Sequence, residues 1–190
     1  MDEDLDVVER FKAGEKEAFS ILINKYKKPV LNLVYRFTGE RRDAEDLAQE
    51  IFLRAYRGLD RFQAKAKFFT WLYRIAMNLC FRVRKRRSKF IFQSLDQKSE
   101  NGNYEAERKM TSLSNPVEDE IGRGEIREKV QQAVMDLSPE QRAVVILYRY
   151  NDLSYDEIAG VLDISISAVK SRLHRARQTL KEALKQYVSK

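Results

Sequence analysis

Between Ser154 and Asp163 the chain has room for about two turns of helix, and both ends of that helix are written in its residues. Ser154-Tyr155-Asp156-Glu157 is a capping box: a serine hydroxyl accepts from the backbone three residues on, and the glutamate reaches back. Ile158, Ala159 and Leu162 supply the apolar side, and the pattern stops near Asp163. A longer amphipathic helix begins at about Ser165. Upstream, Ser138-Pro139-Glu140-Gln141 opens another helix, with a serine cap, proline in the first turn and Gln141 closing a box. Val144, Val145, Leu147 and Tyr148 form its apolar side. A short capped helix, a tight turn and a longer helix make a helix-turn-helix.

The long helix carries the chemistry. Val169, Leu173, Ala176, Leu180 and Leu184 form its dry stripe. Ser167, Ser171, His174, Arg175 and Gln178 point away from it, flanked by Lys170, Arg172 and Arg177. Donors toward base edges and cations toward both phosphate walls are what a helix in a major groove needs. Arg175 is the leading base reader, because a guanidinium can bind guanine O6 and N7 together; Lys170, Arg172 and Arg177 are better placed for phosphates.

The first ninety residues are also helical in period. Val30, Leu33, Val34 and Phe37 recur at i, i+3, i+4, i+7, with Pro29 read as a helix start and Gly39 as its end. From Asp43, Leu47, Ala48, Ile51, Phe52 and Ala55 form a stripe, while Asp46, Gln49, Glu50 and Leu53 lie off its centre. An acidic face carrying a stray leucine is a candidate protein-docking surface. After the basic loop FQAKAK, a helix starting at Phe68 buries Phe68, Leu72, Ile75, Ala76 and Leu79 and turns Thr70, Arg74, Asn78 and Arg82 outward, with Lys85 beyond. It ends in Arg82, Arg84, Lys85, Arg86, Arg87 and Lys89, beside Phe68, Phe69, Trp71, Tyr73 and Phe81. Cations neutralise phosphates, and interleaved aromatics hold unstacked bases. Trp71 reads equally as core or as a DNA contact.

Charge divides the chain. Residues 1–90 carry 21 Lys/Arg against 13 Asp/Glu, 91–122 carry 3 against 7, and 123–190 carry 12 against 9. The middle stretch is rich in Ser and Asn, with little periodicity, and reads as a linker. The expectation is therefore an all-α protein of two small helical domains, 1–90 and 123–190, joined by a flexible acidic linker, 91–122. The net charge of +7 points to a polyanionic partner. One cysteine, Cys80, and one histidine, His174, exclude a disulfide framework and multi-His or Cys-based metal sites, so no cofactor and no metal are expected. No apolar run reaches the ~20 residues of a membrane span, and the acidic start MDEDLD is unlike a secretory signal, so a cytoplasmic location is expected.

Three blocks, DAEDLAQEIFLRAY, FFTWLYRIAMN and LSYDEIAGVLDISISAVKSRLHRARQTL, together resemble bacterial sigma factors of the extracytoplasmic-function type, within the sigma-70 family. The resemblance covers nearly everything outside 91–122, with region 2 falling on the first domain and region 4 on the second. It implies a non-enzymatic factor that binds core RNA polymerase, at the β′ clamp helices and the β flap, and directs it to promoters. By position, Asp46, Gln49, Glu50 and Leu53 would dock on the clamp helices. Gln63, Lys65, Lys67, Trp71, Arg74, Asn78, Arg82 and Lys85 would open and read the −10 element, with Asn78 and the loop 63–67 forming the pocket for a flipped base. Ser167, Lys170, Ser171, Arg172, His174, Arg175 and Arg177 would serve the −35 element. An anti-sigma factor, in some relatives membrane-anchored, is the implied regulator, and no small-molecule substrate is implied. The alternative is a helix-turn-helix regulator that acts without core polymerase. A response regulator would need alternating strands and helices in the first ninety residues, and a nuclease would need a metal-ligand cluster or a nucleophile–base pair; neither pattern is present.

Overall fold

The computed structural model describes residues 3–96 and 121–188. Eight α-helices account for most of them: α1 (Glu3–Lys12), α2 (Phe19–Thr38), α3 (Arg41–Gly58), α4 (Phe68–Asp96), α5 (Ile121–Asp136), α6 (Pro139–Arg149), α7 (Tyr155–Leu162) and α8 (Ile166–Val188). No strand occurs among the described residues. The all-α expectation is met. Helix α4 continues past residue 90 to Asp96, and the part of the acidic stretch from 97 to 120 lies outside the described residues.

In the first half, α1 to α4 pack around Val8, Phe11, Leu22, Leu33, Phe37, Ile51, Phe68 and Leu72, all buried. The stripe Val30, Leu33, Val34, Phe37 is buried as its spacing requires, and Gly39 ends α2 in the left-handed region at φ 85°, its N–H donating to the Tyr35 carbonyl at 2.8 Å. Pro29 does not start that helix. It lies inside α2, because Phe19, Leu22 and Tyr26 extend the apolar stripe upstream and their burial carries the helix through a residue without an N–H. Asp4 is buried and accepts from Tyr26 Oη and, at 2.5 Å, from Lys25 Nζ, which ties α1 to α2.

The second half follows its local signals. Ser138 Oγ accepts from the Gln141 N–H at 3.3 Å, and Ser154 makes a complete capping box with Glu157. Asp163 turns the chain in the left-handed region at φ 54°, and Ser165 Oγ accepts from the Ala168 N–H at 3.2 Å to start α8. Val169, Leu173 and Ala176 are buried; Leu180 and Leu184 are half-buried as α8 leaves the core.

The buried residues of the two halves form one continuous cluster. Arg142 of α6 is at the join, only 2% exposed. Its guanidinium donates to the Phe37 carbonyl at 2.8 Å, to the Leu137 carbonyl at 3.2 Å and to the Met135 carbonyl. Phe37 is at the C-terminal end of α2, and Met135 and Leu137 are at that of α5. One cation therefore satisfies carbonyls at the ends of helices from both halves, where the helix dipoles favour positive charge.

Candidate nucleic-acid interface

Three helices present the residues singled out in the sequence. On α3, Ala44, Ala48, Ile51 and Ala55 are buried, which turns Asp46, Gln49 and Leu53 outward. Leu53 is 50% exposed, an apolar side chain on this outward face. Glu50 is half-buried and accepts from Arg54 Nε at 2.7 Å. Tyr56, also exposed, extends this face, with its ring edge-on to Phe11 and Phe19.

The basic loop and α4 form the second surface. Gln63, Lys65 and Lys67 are exposed in a segment outside regular structure, and Ala64 adopts a positive φ of 52°. Phe62, within the same stretch, is buried instead: its ring packs against Phe68 and Trp71 and anchors the loop. Trp71 is half-buried between those rings and the Cα of Gly58, where an added Cβ would come within 3.2 Å of the indole. It is thus a packing residue that stays partly accessible. Arg74, Asn78, Arg82 and Lys85 line one exposed face at helical spacing, and Arg84 and Arg86 are exposed beside them. Arg87 folds back to pair with Asp43 and, at 3.5 Å, with Glu40 at the start of α3. The side chain of Lys89 lies outside the described residues.

The outward-facing reading of Thr70 is corrected. It is 6% exposed, because α7 of the second half lies across it; a Cβ on Gly160 would be 3.3 Å from Thr70 Cγ2. Arg74, next on the same face, donates from Nε to the Gly160 carbonyl at 3.0 Å, and also from Nη2. Lys67 pairs with Glu157 at 3.0 Å. Burial would raise the Glu157 carboxyl, but the Ser154 N–H, Lys67 and the Ser154 hydroxyl outweigh it and hold it below its usual value.

The third surface is on α8. Ser167, Lys170, Ser171, His174, Arg175 and Gln178 are exposed together on one side, and Arg172 is half-buried. Arg177 is exposed but leans over the Tyr148 ring of α6, 5.6 Å from its centroid.

Two features were not read from the residues. Arg142 immediately precedes the apolar run of α6, and nothing in its neighbourhood names the Phe37 carbonyl, 105 positions away. Between the halves, Lys28, Asn32, Arg36, Tyr73, Tyr150 and Asn151 line a cleft of about 320 Å³. Arg36 stacks on Tyr150 at 3.8 Å, and Asn151 Nδ2 donates to Tyr73 Oη at 3.4 Å. No group of three His, Cys, Asp or Glu suited to a metal occurs among the described residues. Cys80 is buried and its thiol is pushed up to about 12 by burial, so it is no nucleophile at neutral pH. No helix among the described residues is long and apolar enough to cross a membrane.

The arrangement matches known proteins along its length. The Sigma-70 region 2 family matches residues 22–90 and the Sigma-70 region 4 family residues 127–180. The RNA polymerase sigma-H factor of Pseudomonas aeruginosa is 35% identical, over 96% of this chain and 94% of that protein. The ECF RNA polymerase sigma factor SigW of Bacillus subtilis is 34% identical over 94% and 95%. The ECF RNA polymerase sigma-E factor of Escherichia coli is 34% identical over 92% and 90%. In fold, the chain resembles the sigma factor RpoE of Bartonella quintana, solved with the anti-sigma factor NepR (TM-score 0.67, 23% identity, 88% of this chain and 96% of that one). It also resembles CnrH, solved with the cytosolic domain of CnrY (TM-score 0.66, 23% identity, 95% and 96%). With regions 2 and 4 in order and relatives matched end to end, the chain belongs to the extracytoplasmic-function RNA polymerase sigma factors of the sigma-70 family.

Proposed function

We propose that the three surfaces divide the work of promoter-specific initiation. The α3 face of Asp46, Gln49, Glu50 and Leu53 docks on the β′ clamp helices. The loop 63–67 with Trp71, Arg74, Asn78, Arg82 and Lys85 takes up the opened −10 element. The α8 face, Ser167 to Arg177, reads the −35 element. The domains would be 1–90 and 123–190, with the acidic stretch 91–122 as tether. One observation supports this division above the rest: Leu53 and Asp46 are exposed on a helix that carries none of the basic DNA-facing residues.

The chemistry is that of binding alone. Extracting a base from the stack costs a few kcal/mol. Stacking and fitted polar contacts return about 1–3 kcal/mol per base, and phosphate contacts from the block ending α4 add a salt-dependent share. No bond to substrate is made or broken, so the protein works without catalysis or cofactor. An anti-sigma factor is the proposed regulator; one protein of like fold was solved with such a partner. The factor acts where polymerase is, in the cytoplasm.

The test is a pull-down of bacterial core RNA polymerase with the double variant Asp46→Lys, Glu50→Lys. Reversing two charges on the docking face is expected to abolish association while the far-ultraviolet circular dichroism stays unchanged. Undiminished association would reject the docking assignment.

A further inference from the structure

The loop 63–67 is short, and its path is set where it leaves the core. Its two ends are pinned by buried rings: Phe62 before it and Phe68 after it lie 6.1 Å apart, and Trp71 packs on both. At the far end the Lys67 carbonyl accepts from the Thr70 and Trp71 N–H groups at 3.1 and 3.3 Å, which starts α4. At the near end no helix continues. The short 3-10 turn Leu59–Arg61 closes when the Phe62 N–H donates to the Leu59 carbonyl at 3.1 Å, and Phe62 then runs extended at φ −66°, ψ 121°. Among the described residues no backbone N–H reaches the carbonyl of Phe62 itself.

That carbonyl is taken by a side chain from 50 residues upstream. Lys12, the last residue of α1, donates to it from Nζ at 2.8 Å. The Lys12 side chain is only 26% exposed; its other neighbour, Glu9 Oε1, is farther away at 3.4 Å and largely in solvent. A peptide unit is planar, so holding the Phe62 oxygen on one side fixes the Gln63 N–H on the other, and with it the direction in which Gln63 sets out. Next in the chain, Ala64 sits at φ 52°, a left-handed conformation that a residue with a Cβ keeps only when its surroundings impose it. With both rings fixed, the Phe62–Gln63 peptide plane is the hinge on which the loop's shape turns, and Lys12 is the group that holds it.

We propose that Lys12 is a positioning residue for the −10 pocket: through the Phe62 carbonyl it sets the aim of Gln63, and so which base the loop admits. The proposal rests on the assignment of the loop 63–67 to a flipped base. It extends the determinants of base choice to α1, ahead of residues 22–90 that match region 2.

Base preference tests this. Initiation by the full-length chain with core polymerase is measured on a promoter set in which each base of the −10 element is changed in turn to the other three. The quantity read is a ratio, initiation at the preferred base over initiation at the least preferred, so it does not depend on how much of a variant is folded and active. Lys12→Met keeps an unbranched stem and removes the donor; Lys12→Arg keeps a donor. Lys16→Met removes a neighbouring ion pair, Lys16 with Asp60 at 3.0 Å, that does not touch the loop backbone, and serves as the control. In Lys12→Met the ratio at one −10 position should fall by about fivefold, within what one charge-assisted hydrogen bond can supply, and in Lys12→Arg it should return to within about twofold of the native value. Lys16→Met should leave it unchanged, and preferences within the −35 element should be the same in all three. An unchanged ratio in Lys12→Met, an equal fall in Lys16→Met, or no recovery in Lys12→Arg would overturn the proposal while leaving the loop assignment intact. Gln63→Ala reports on that assignment separately: it should flatten the same position, and if it leaves every −10 preference as it was, the loop assignment falls and the proposal with it.

Discussion

Replacing Arg142 should unsettle the whole molecule, and by an amount the structure allows one to work out. Its guanidinium donates to the carbonyls of Phe37, Leu137 and Met135 from a site 2% exposed. Hydrogen bonds to a charged donor contribute roughly 1.5–3 kcal/mol each, so three give at least about 4.5 kcal/mol. In Arg142→Leu the buried aliphatic side chain recovers about 1.5–2 kcal/mol of burial, and the desolvation cost of the cation disappears. The carbonyls, however, stay buried at helix ends without a donor. The net loss is about 2–3 kcal/mol for Arg142→Leu and about 4 kcal/mol for Arg142→Ala, which leaves a cavity as well. Urea denaturation followed by circular dichroism reads this directly. With m of about 2 kcal/mol per molar, the midpoint falls by ~1–1.5 M for leucine and ~2 M for alanine. A shift under ~0.3 M for either variant would refute the claim that this cation joins the ends of α2 and α5.

Gly39→Ala combines a left-handed φ of 85° with a Cβ only 2.6 Å from Met135 Cε. The backbone alone costs about 1–2 kcal/mol, so the melting temperature should drop by roughly 3–8 °C; Met135→Ala in the same chain should relieve the steric part. Glu157 has its carboxyl held below the usual 4.5, so its contribution is complete above that pH and is lost as pH falls through the lowered value. The stability advantage of the native chain over Glu157→Gln, followed in urea from pH 7 to pH 3, should hold to about pH 4.5 and then vanish; an advantage that grows on acidification would contradict the pairing. Arg175→Ala should weaken −35-dependent initiation by about 1–3 kcal/mol at promoters carrying its base pair and little elsewhere, whereas an equal loss on every sequence would make it a phosphate contact.

What could be read from residues was what local chemistry decides. The Ser154 capping box, the Asp163 turn and the stripe Val169, Leu173, Ala176 all act within a few positions, and all were legible. The outward face of α3 was legible for the same reason, because the burial of Ala48 and Ile51 leaves Leu53 outside. Pro29 was misread because a proline signals a first turn only if no apolar stripe precedes it, and Phe19, Leu22 and Tyr26 do precede it. Thr70 and Arg142 were beyond reach for a different reason. Gly160, 90 positions on, lies against Thr70, and the Phe37 carbonyl that Arg142 meets is 105 positions back; no periodicity within one helix records which other helix will lie across it. Gly160 was the available hint: a glycine inside a short, otherwise well-capped helix marks a close approach of another element.

The central claim is that this chain redirects core RNA polymerase to a defined class of promoters. In vitro transcription with purified core polymerase on a genomic template library, with sequencing of the 5′ ends, tests it most directly. Adding the protein should produce new start sites that share two short motifs at fixed spacing, absent with core enzyme alone and lost in the Asp46→Lys, Glu50→Lys variant. Start sites indistinguishable from those of core enzyme alone would contradict the account.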